Sequence, residues 1–130
     1  MSNLVFVYGS LKSGHWNNCL LEKAEFLGKA VTKDLFLMTT VGFPYMIPED
    51  MVDDPSKLRT VIGEVYRVND DLTRKRLDNL EGVDYGHYKH KEVFVELDGK
   101  AVKTVAYVPC KKDVQNYPTV GVTEEGHYEF

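Results

Sequence analysis

The sequence predicts an α+β fold in which a mostly antiparallel or mixed sheet, able to close as a barrel, is flanked by helices. Two observations carry this prediction. Short runs rich in β-branched and aromatic residues recur along the 130 residues between glycine and proline turn signals. A clear helical pattern occurs near residues 70–81, with a weaker one near 17–23. Regular alternation of strands and helices would instead indicate parallel βαβ units, so this distribution argues against them.

The first half of the chain predicts short strands. Residues 4–8 form an apolar run that ends at a Gly-Ser turn signal, as expected of a first strand. Residues 24–40 predict one or two further strands, and residues 42–48 a short extended piece punctuated by prolines. The polar residues 49–57 predict a loop.

A strand and a capped helix are predicted next. Residues 61–68 read as a strand, and Asp70 follows as an N-cap candidate. Leu72, Leu77 and Leu80 fall on one face of the helix that begins there. Gly82 supplies the stop signal.

A hairpin and a tail complete the chain. Asp98-Gly99 is a strong two-residue turn signal between residues 88–97 and 101–109. Its register would pair Val95 with Val102 and His90 with Tyr107. Residues 110–130 carry few apolar anchors and predict an irregular tail. We therefore expect residues 1–130 to form one domain.

Composition excludes several function classes. The net charge of −4 disfavours nucleic acid and anionic membranes as partners. No run approaches the roughly 20 apolar residues of a membrane span, and the N-terminus lacks a secretory pattern. These features predict a cytoplasmic protein. Cys19 and Cys110 match no metal or redox spacing and are expected to be reduced thiols.

The first candidate for chemistry is the turn Tyr8-Gly9-Ser10-Leu11. A turn after a strand can aim successive backbone N–H groups at one anion, and Gly9 would allow unusual backbone angles there. The alternative is an ordinary turn. The glycine spacing does not match a nucleotide-binding loop.

The second candidate is Glu81, which directly precedes Gly82 at the predicted helix end. The negative end of the helix dipole raises a carboxyl pKa by less than about one unit, so stronger tuning requires burial. The alternative is an exposed glutamate, and Asp78 is expected to be solvated. The four histidines and two cysteines suggest no metal site.

Together the two segments resemble the γ-glutamyl cyclotransferase-like (AIG2-like) family. The resemblance starts with the run from Val5 to Gly14 and continues through Gly42-Phe43-Pro44. It includes Leu77-Asp78-Asn79-Leu80-Glu81 and Tyr88, and so covers roughly residues 4–109. The length of the chain agrees with the short branch that looks like γ-glutamylamine cyclotransferase.

The resemblance implies a small barrel flanked by helices and a reaction that releases 5-oxoproline from a γ-glutamyl compound. It implies Glu81 as the catalytic acid/base. It also implies that Tyr8, Gly9, Ser10, Leu11 and Tyr88 bind the substrate. No cofactor or metal is implied, and the expected partner is a small γ-glutamyl molecule.

Other functions are compatible with the same fold. The substrate could be a γ-glutamylamine, a γ-glutamyl dipeptide or a γ-glutamyl protecting group in a biosynthesis. A module that binds a small ligand or a protein without catalysis is the alternative from another class, although Glu81 argues against a site built only for an anionic ligand.

Overall fold

The computed structural model describes residues 3–15, 17–82 and 86–130. Seven strands and one α-helix follow each other in these residues. They are β1 (Leu4–Val7), β2 (Glu25–Thr32), β3 (Phe36–Thr40), β4 (Pro44–Pro48), β5 (Ile62–Arg67), α1 (Asp71–Leu80), β6 (Tyr88–Leu97) and β7 (Lys100–Pro109). Short 3₁₀ turns lie at Asn18–Leu21, Glu49–Met51, Pro55–Lys57 and Lys112–Asn116.

Five of the strands form a closed barrel, which confirms the predicted fold class. Their order around the barrel is β1, β5, β2, β6 and β7. Neighbours pair antiparallel except where β7 meets β1 in parallel, at Val5 and Val105. The remaining strands, β3 and β4, pair as a separate two-stranded sheet.

The barrel buries side chains on both sides of its wall where α1 covers it. Phe6 and Ala106 belong to the interior core, together with Val65, Val93 and Val95. Their chain neighbours Val5 and Tyr107 point the other way, into a second apolar cluster that contains Leu77 of α1. The alternation follows from the two-residue repeat of a strand. Leu77 therefore attaches the helix to the outside of the barrel.

The β6–β7 hairpin has the predicted register. Val95 pairs with Val102, and His90 pairs with Tyr107. Asp98 and Gly99 both have positive φ, 52° and 78°, as a type I′ hairpin turn requires. The local turn chemistry thus fixed the alignment of ten-residue strands.

Helix α1 begins as predicted, but its buried face differs. The carboxylate of Asp70 accepts hydrogen bonds from the backbone N–H groups of Leu72 (3.1 Å) and Thr73 (3.2 Å). Leu77 is fully buried, whereas Leu72 and Leu80 are 50% and 42% exposed. Thr73 is buried instead of Leu72, and its hydroxyl donates a hydrogen bond to the carboxylate of Asp70 (2.6 Å). Within the described residues, no helix is long and apolar enough to cross a membrane.

Other local predictions change in detail. The weaker helical pattern near residues 17–23 forms one 3₁₀ turn, Asn18–Leu21. Residues 24–40 form two strands, and residues 49–57 contain two 3₁₀ turns. Residues 110–130 supply three buried side chains to the main core, those of Val114, Val120 and Tyr128. The segment thus has more apolar anchors than its sequence suggested.

Gly63 of β5 is expected to tolerate no side chain. A Cβ at this position would lie 2.5 Å from the Phe6 ring and against the Val7 carbonyl oxygen. We predict that Gly63→Ala lowers the free energy of unfolding by about 1–3 kcal/mol through overpacking. Gly121→Ala is the control, because a Cβ there meets nothing within 4 Å. Urea denaturation of both variants tests this, and equal stabilities would contradict it.

Candidate active site

One cavity of about 530 Å³ brings the predicted site residues together. Its wall combines the turn after β1, parts of β4, β6 and β7, and the end of α1. The residues suggested by the sequence that line it are Tyr8, Gly9, Ser10, Leu11, Glu81 and Tyr88. Two segments about 70 residues apart in the sequence thus face the same space.

The turn after β1 is held by bonds to its carbonyl oxygens. The Lys12 N–H donates to the Gly9 carbonyl (3.0 Å), and the Asn17 N–H donates to the Ser10 carbonyl (2.9 Å). The Asn17 side chain also donates to Ser10 Oγ (2.8 Å), and that of Asn18 donates to the Leu11 carbonyl (2.8 Å). No acceptor in the described chain takes the N–H groups of Gly9, Ser10 and Leu11. Three successive donors are therefore available at the cavity wall.

Gly9 is needed here for space. Its φ is not positive, so the expectation of unusual backbone angles was wrong. A Cβ at this position would lie 2.5 Å from Pro44 Cγ. The missing side chain lets β4 pack directly on the turn. This contact brings Tyr45, the residue after Pro44, to the cavity.

Glu81 directly follows α1. Its backbone N–H continues the helical bonding to the Leu77 carbonyl (3.0 Å), and Gly82 with φ of 63° ends the helix as predicted. The side chain is partly buried, and this desolvation raises the pKa of its carboxyl from 4.5 to about 7. No group in the described residues donates a hydrogen bond to the carboxylate. The rise in the Glu81 pKa caused by burial thus exceeds the rise expected from the helix dipole alone.

Three buried tyrosines lie near Glu81, and their hydroxyls donate hydrogen bonds to other acceptors. The hydroxyl of Tyr8 donates to the Tyr107 carbonyl (2.6 Å), and that of Tyr88 donates to the Pro44 carbonyl (3.3 Å). The Tyr107 hydroxyl donates to Asp78 Oδ1 (2.6 Å). Burial first, and the nearby Glu81 charge as a further cause, raise the pKa of all three phenols. They remain neutral at physiological pH.

Sequence reasoning misjudged Asp78. It was expected to be solvated, but its side chain is only 30% exposed and Oδ1 also bonds His90 Nε2 (2.8 Å). The predicted pairing of His90 with Tyr107 could have suggested a shared polar contact. Tyr45 and Asn17 also line the cavity, and neither was predicted as a site residue.

The charges that line the cavity are few. Among the described residues on its wall, Glu81 is the only carboxylate and Lys111 the only lysine or arginine. Lys111 is exposed and forms no ion pair within the part of the chain that the structure describes. The same wall carries Phe43 and Leu80, which are 48% and 42% exposed. The cavity thus joins a buried carboxyl to a more open, apolar and positively charged rim.

Comparison with known proteins identifies the family. The model of the family described as "Gamma-glutamyl cyclotransferase, AIG2-like" matches residues 5–130. The chain belongs to this family of enzymes. The match also extends the resemblance found in the sequence, which ended near residue 109, through the C-terminal segment.

Individual relatives agree with this assignment. The chain is 41% identical over 106 residues to "Putative gamma-glutamylcyclotransferase MJ1514" of Methanocaldococcus jannaschii, covering 79% of this chain and 81% of the relative. It is 33% identical over 100 residues to "Gamma-glutamylaminecyclotransferase" of Bos taurus, covering 73% of this chain and 57% of that protein. The crystal structure of an AIG2-like protein from Mus musculus superposes with a TM-score of 0.72 at 25% identity, covering 89% of this chain and 84% of that one.

The burial of Glu81 predicts a pH-dependent cost in stability. Below about pH 4.5 the carboxyl is protonated in both folded and unfolded chains and carries no charge to desolvate. As the pH rises to 7, only the folded chain keeps the proton, so stability is lost through this window. Glu81→Gln should therefore be more stable than wild type at pH 8, on the order of 2–3 kcal/mol, and similar at pH 4.

Urea denaturation of both proteins at the two pH values measures this difference. Glu22→Gln is the control, because Glu22 is exposed and the same change should cause no pH-dependent difference. A constant difference between Glu81→Gln and wild type across this range would contradict the burial of the charge.

Proposed function

We propose that this protein is a γ-glutamyl cyclotransferase that converts a γ-glutamyl amide into 5-oxoproline and a free amine. The observation that supports it most strongly is the pairing of two features in one cavity. A partly buried Glu81 with a carboxyl pKa raised to about 7 lines the same cavity as Gly9, Ser10 and Leu11, whose backbone N–H groups have no acceptor among the described residues. A base of this pKa and a set of anion donors are the parts that such a cyclisation needs.

The reaction is a proton transfer coupled to ring closure. The α-amine of the substrate arrives as an ammonium, and the Glu81 carboxylate takes a proton from it. The freed nitrogen attacks the γ-carbonyl carbon, forming the new C–N bond of a five-membered ring and an oxyanion. Collapse of the oxyanion breaks the original amide C–N bond. Overall the attacking nitrogen loses two protons and the departing nitrogen gains two, with Glu81 as the carrier.

The turn after β1 would bind negative charge on the substrate. The N–H groups of Gly9, Ser10 and Leu11 suit either the oxyanion that develops at the γ-carbonyl or the α-carboxylate of the glutamyl group. Tyr8 and Tyr88 form the neighbouring wall. We therefore assign substrate binding to these five residues and acid/base catalysis to Glu81.

The proposal requires no protein nucleophile. Because the attacking amine belongs to the substrate, holding it near the carbonyl replaces a bimolecular encounter. Ser10 carries a hydroxyl in the turn, and its Oγ accepts a hydrogen bond from the Asn17 amide, while no histidine of the described residues accepts its proton. The site thus fits intramolecular attack better than an acyl-enzyme mechanism.

We propose a γ-glutamylamine as the substrate, with the departing amine at the rim. The similarity to the bovine relative supports this class, and the exposed Phe43 and Leu80 can contact an aliphatic chain. Lys111 favours a second candidate, a γ-glutamyl dipeptide, because its ammonium can pair with a carboxylate on the departing amine. The two candidates share the chemistry at Glu81.

Replacing the base should abolish turnover. We predict that wild type releases 5-oxoproline and lysine from ε-(γ-glutamyl)lysine. Glu81→Gln should lose about 10²–10⁴-fold in kcat, because the amide cannot carry the proton. Mass spectrometry of 5-oxoproline measures this, with Glu22→Gln as the active control. Substantial activity of Glu81→Gln would contradict its role. A ligand that stabilises wild type but stays intact would indicate a binding module.

The pH profile should report the same carboxyl. Because Glu81 acts as a base, kcat/KM is expected to rise about tenfold per pH unit below pH 7 and to level off near the carboxyl pKa of about 7. Initial rates between pH 5 and 8 check this. A profile that already levels off near pH 4.5 would contradict a raised pKa.

Lys111 should distinguish the two substrate classes. We predict that Lys111→Met raises KM about 2–5-fold for γ-glutamylalanine, as expected for the loss of an exposed ion pair. It should leave KM unchanged for γ-glutamylethylamide, which has no carboxylate on the departing amine. Steady-state kinetics with both substrates measure the contrast. Equal effects on the two substrates would exclude a role for Lys111 in choosing between them.

A further inference from the structure

Asp78 does not line the cavity itself, but its carboxylate bonds the hydroxyl of Tyr107, which does. It lies three residues before Glu81, one turn earlier on α1. A single oxygen, Oδ1, accepts from the Tyr107 hydroxyl (2.6 Å) and contacts His90 Nε2 (2.8 Å). These two partners form one cross-strand pair of the β6–β7 hairpin, with ring centroids 5.1 Å apart. The Asp78 carboxylate therefore links the last turn of α1 to one residue pair of the β6–β7 hairpin.

Tyr107 connects this contact to the cavity. Its side chain lines the cavity, while its carbonyl accepts the hydroxyl proton of Tyr8. The Tyr107 hydroxyl donates its proton to Asp78. Burial raises the pKa of this phenol most, Asp78 raises it further, and the nearby charge on Glu81 makes a smaller contribution. A tyrosine hydroxyl without another acceptor would turn toward the nearest carboxylate and stabilise its charged form. Because Asp78 accepts the Tyr107 proton, this bond to Glu81 does not form.

We propose that Asp78 is a positioning residue that holds the Glu81 end of α1 and keeps the Tyr107 hydroxyl from donating to Glu81. This inference rests on the proposed role of Glu81 as the base. Without Asp78, the Tyr107 proton would be free to bond the Glu81 carboxylate. The bond would make Glu81 a weaker base and withdraw it from the substrate ammonium.

Several charged or titratable groups surround this arrangement. Asp78 is faced by His90 from β6 and Tyr107 from β7, and Arg74 lies one turn earlier on α1. Glu81 is faced by Tyr8 and Tyr88 as well as Tyr107, and Lys111 and His87 line the same cavity. Removing the Asp78 charge would itself lower the pKa of Glu81. The test must therefore distinguish the effect of the lost charge from the effect of a Tyr107 hydroxyl that has turned toward Glu81.

The experiment is a ¹³C NMR titration of the Glu81 side-chain carboxyl, identified by its absence in Glu81→Gln. We expect Asp78→Ala to lower the pKa of Glu81 by about one unit and kcat by more than tenfold, with KM changed less than threefold. Asp78→Asn removes the charge but keeps an acceptor oxygen, so it should restore most of the wild-type pKa. Asp71→Ala is the control, since it removes a carboxylate from the first turn of the same helix.

The Tyr107→Phe background isolates the hydroxyl. There, Asp78→Ala should shift the pKa of Glu81 by less than a third of its shift in wild type. The inference is overturned if Asp78→Ala leaves the pKa of Glu81 unchanged, if Asp78→Asn shifts it as much as Asp78→Ala, or if the full shift persists in Tyr107→Phe. If Asp78→Ala does not fold, Asp78→Leu takes its place, because it likewise offers no acceptor but fills the space of the lost side chain. The outcomes stated for Asp78→Ala then apply to Asp78→Leu.

The NMR readout does not depend on turnover. Failure of wild type to release 5-oxoproline would therefore reject the proposed function, whereas an unmoved carboxyl pKa would reject the role of Asp78 alone.

Discussion

A carboxyl group that is largely removed from water and accepts no hydrogen bond from the described residues is costly to ionise, and the site is arranged around this constraint at Glu81. Three phenols near it have other acceptors: Tyr8 donates to a carbonyl of β7, Tyr88 to a carbonyl of β4, and Tyr107 to Asp78. The neighbours are thus satisfied without Glu81. Burial is the cause that raises the pKa of Glu81 to about 7.

The barrel topology brings this carboxyl to the turn after β1. Strand β1 pairs antiparallel with β5, with Val7 opposite Glu64 and Leu4 opposite Arg67. Helix α1 starts just beyond the far end of β5, and its ten residues give a length of about 15 Å. Leu77 packs on the side of the wall that carries Val5 and Val7. The helix therefore runs back along the barrel, and its last turn reaches the level where β1 ends.

Features determined by neighbouring residues could be predicted from the sequence. The Asp98-Gly99 turn set the hairpin register, Asp70 capped α1, and Gly82 ended it, because each acts through backbone angles or bonds within a few residues. The turn after β1 and Glu81 could be selected as site candidates by motif and family resemblance. Their shared cavity is an observation of the structure, while their roles remain proposals.

Features that depend on distant contacts were not predictable in this way. Leu72 and Leu80 lie on the same predicted helical face as Leu77, yet the barrel buries Leu77 and leaves the other two exposed. Gly9 is dictated by Pro44, which lies 35 positions later in the chain. Asp78 was predicted to be solvated because its partners, His90 and Tyr107, lie on strands that reach it only when the barrel closes. Each of these facts is a property of packing rather than of local sequence.

The aromatic wall around Glu81 does not titrate together with its carboxyl. Burial raises the pKa of Tyr8, Tyr88 and Tyr107, so these phenols stay neutral while Glu81 changes its charge. Tyr45 stacks on Tyr88 with ring centroids 5.7 Å apart and extends the wall toward the open rim. The hydroxyls of Tyr8, Tyr88 and Tyr107 are bonded to acceptors in the protein, so the polar groups that the wall offers to the cavity come from other residues, Glu81 among them. In the reaction proposed above, the part of the cavity at Glu81 and the turn after β1 would handle the proton and the anion, while the rim at Lys111 would hold the departing amine.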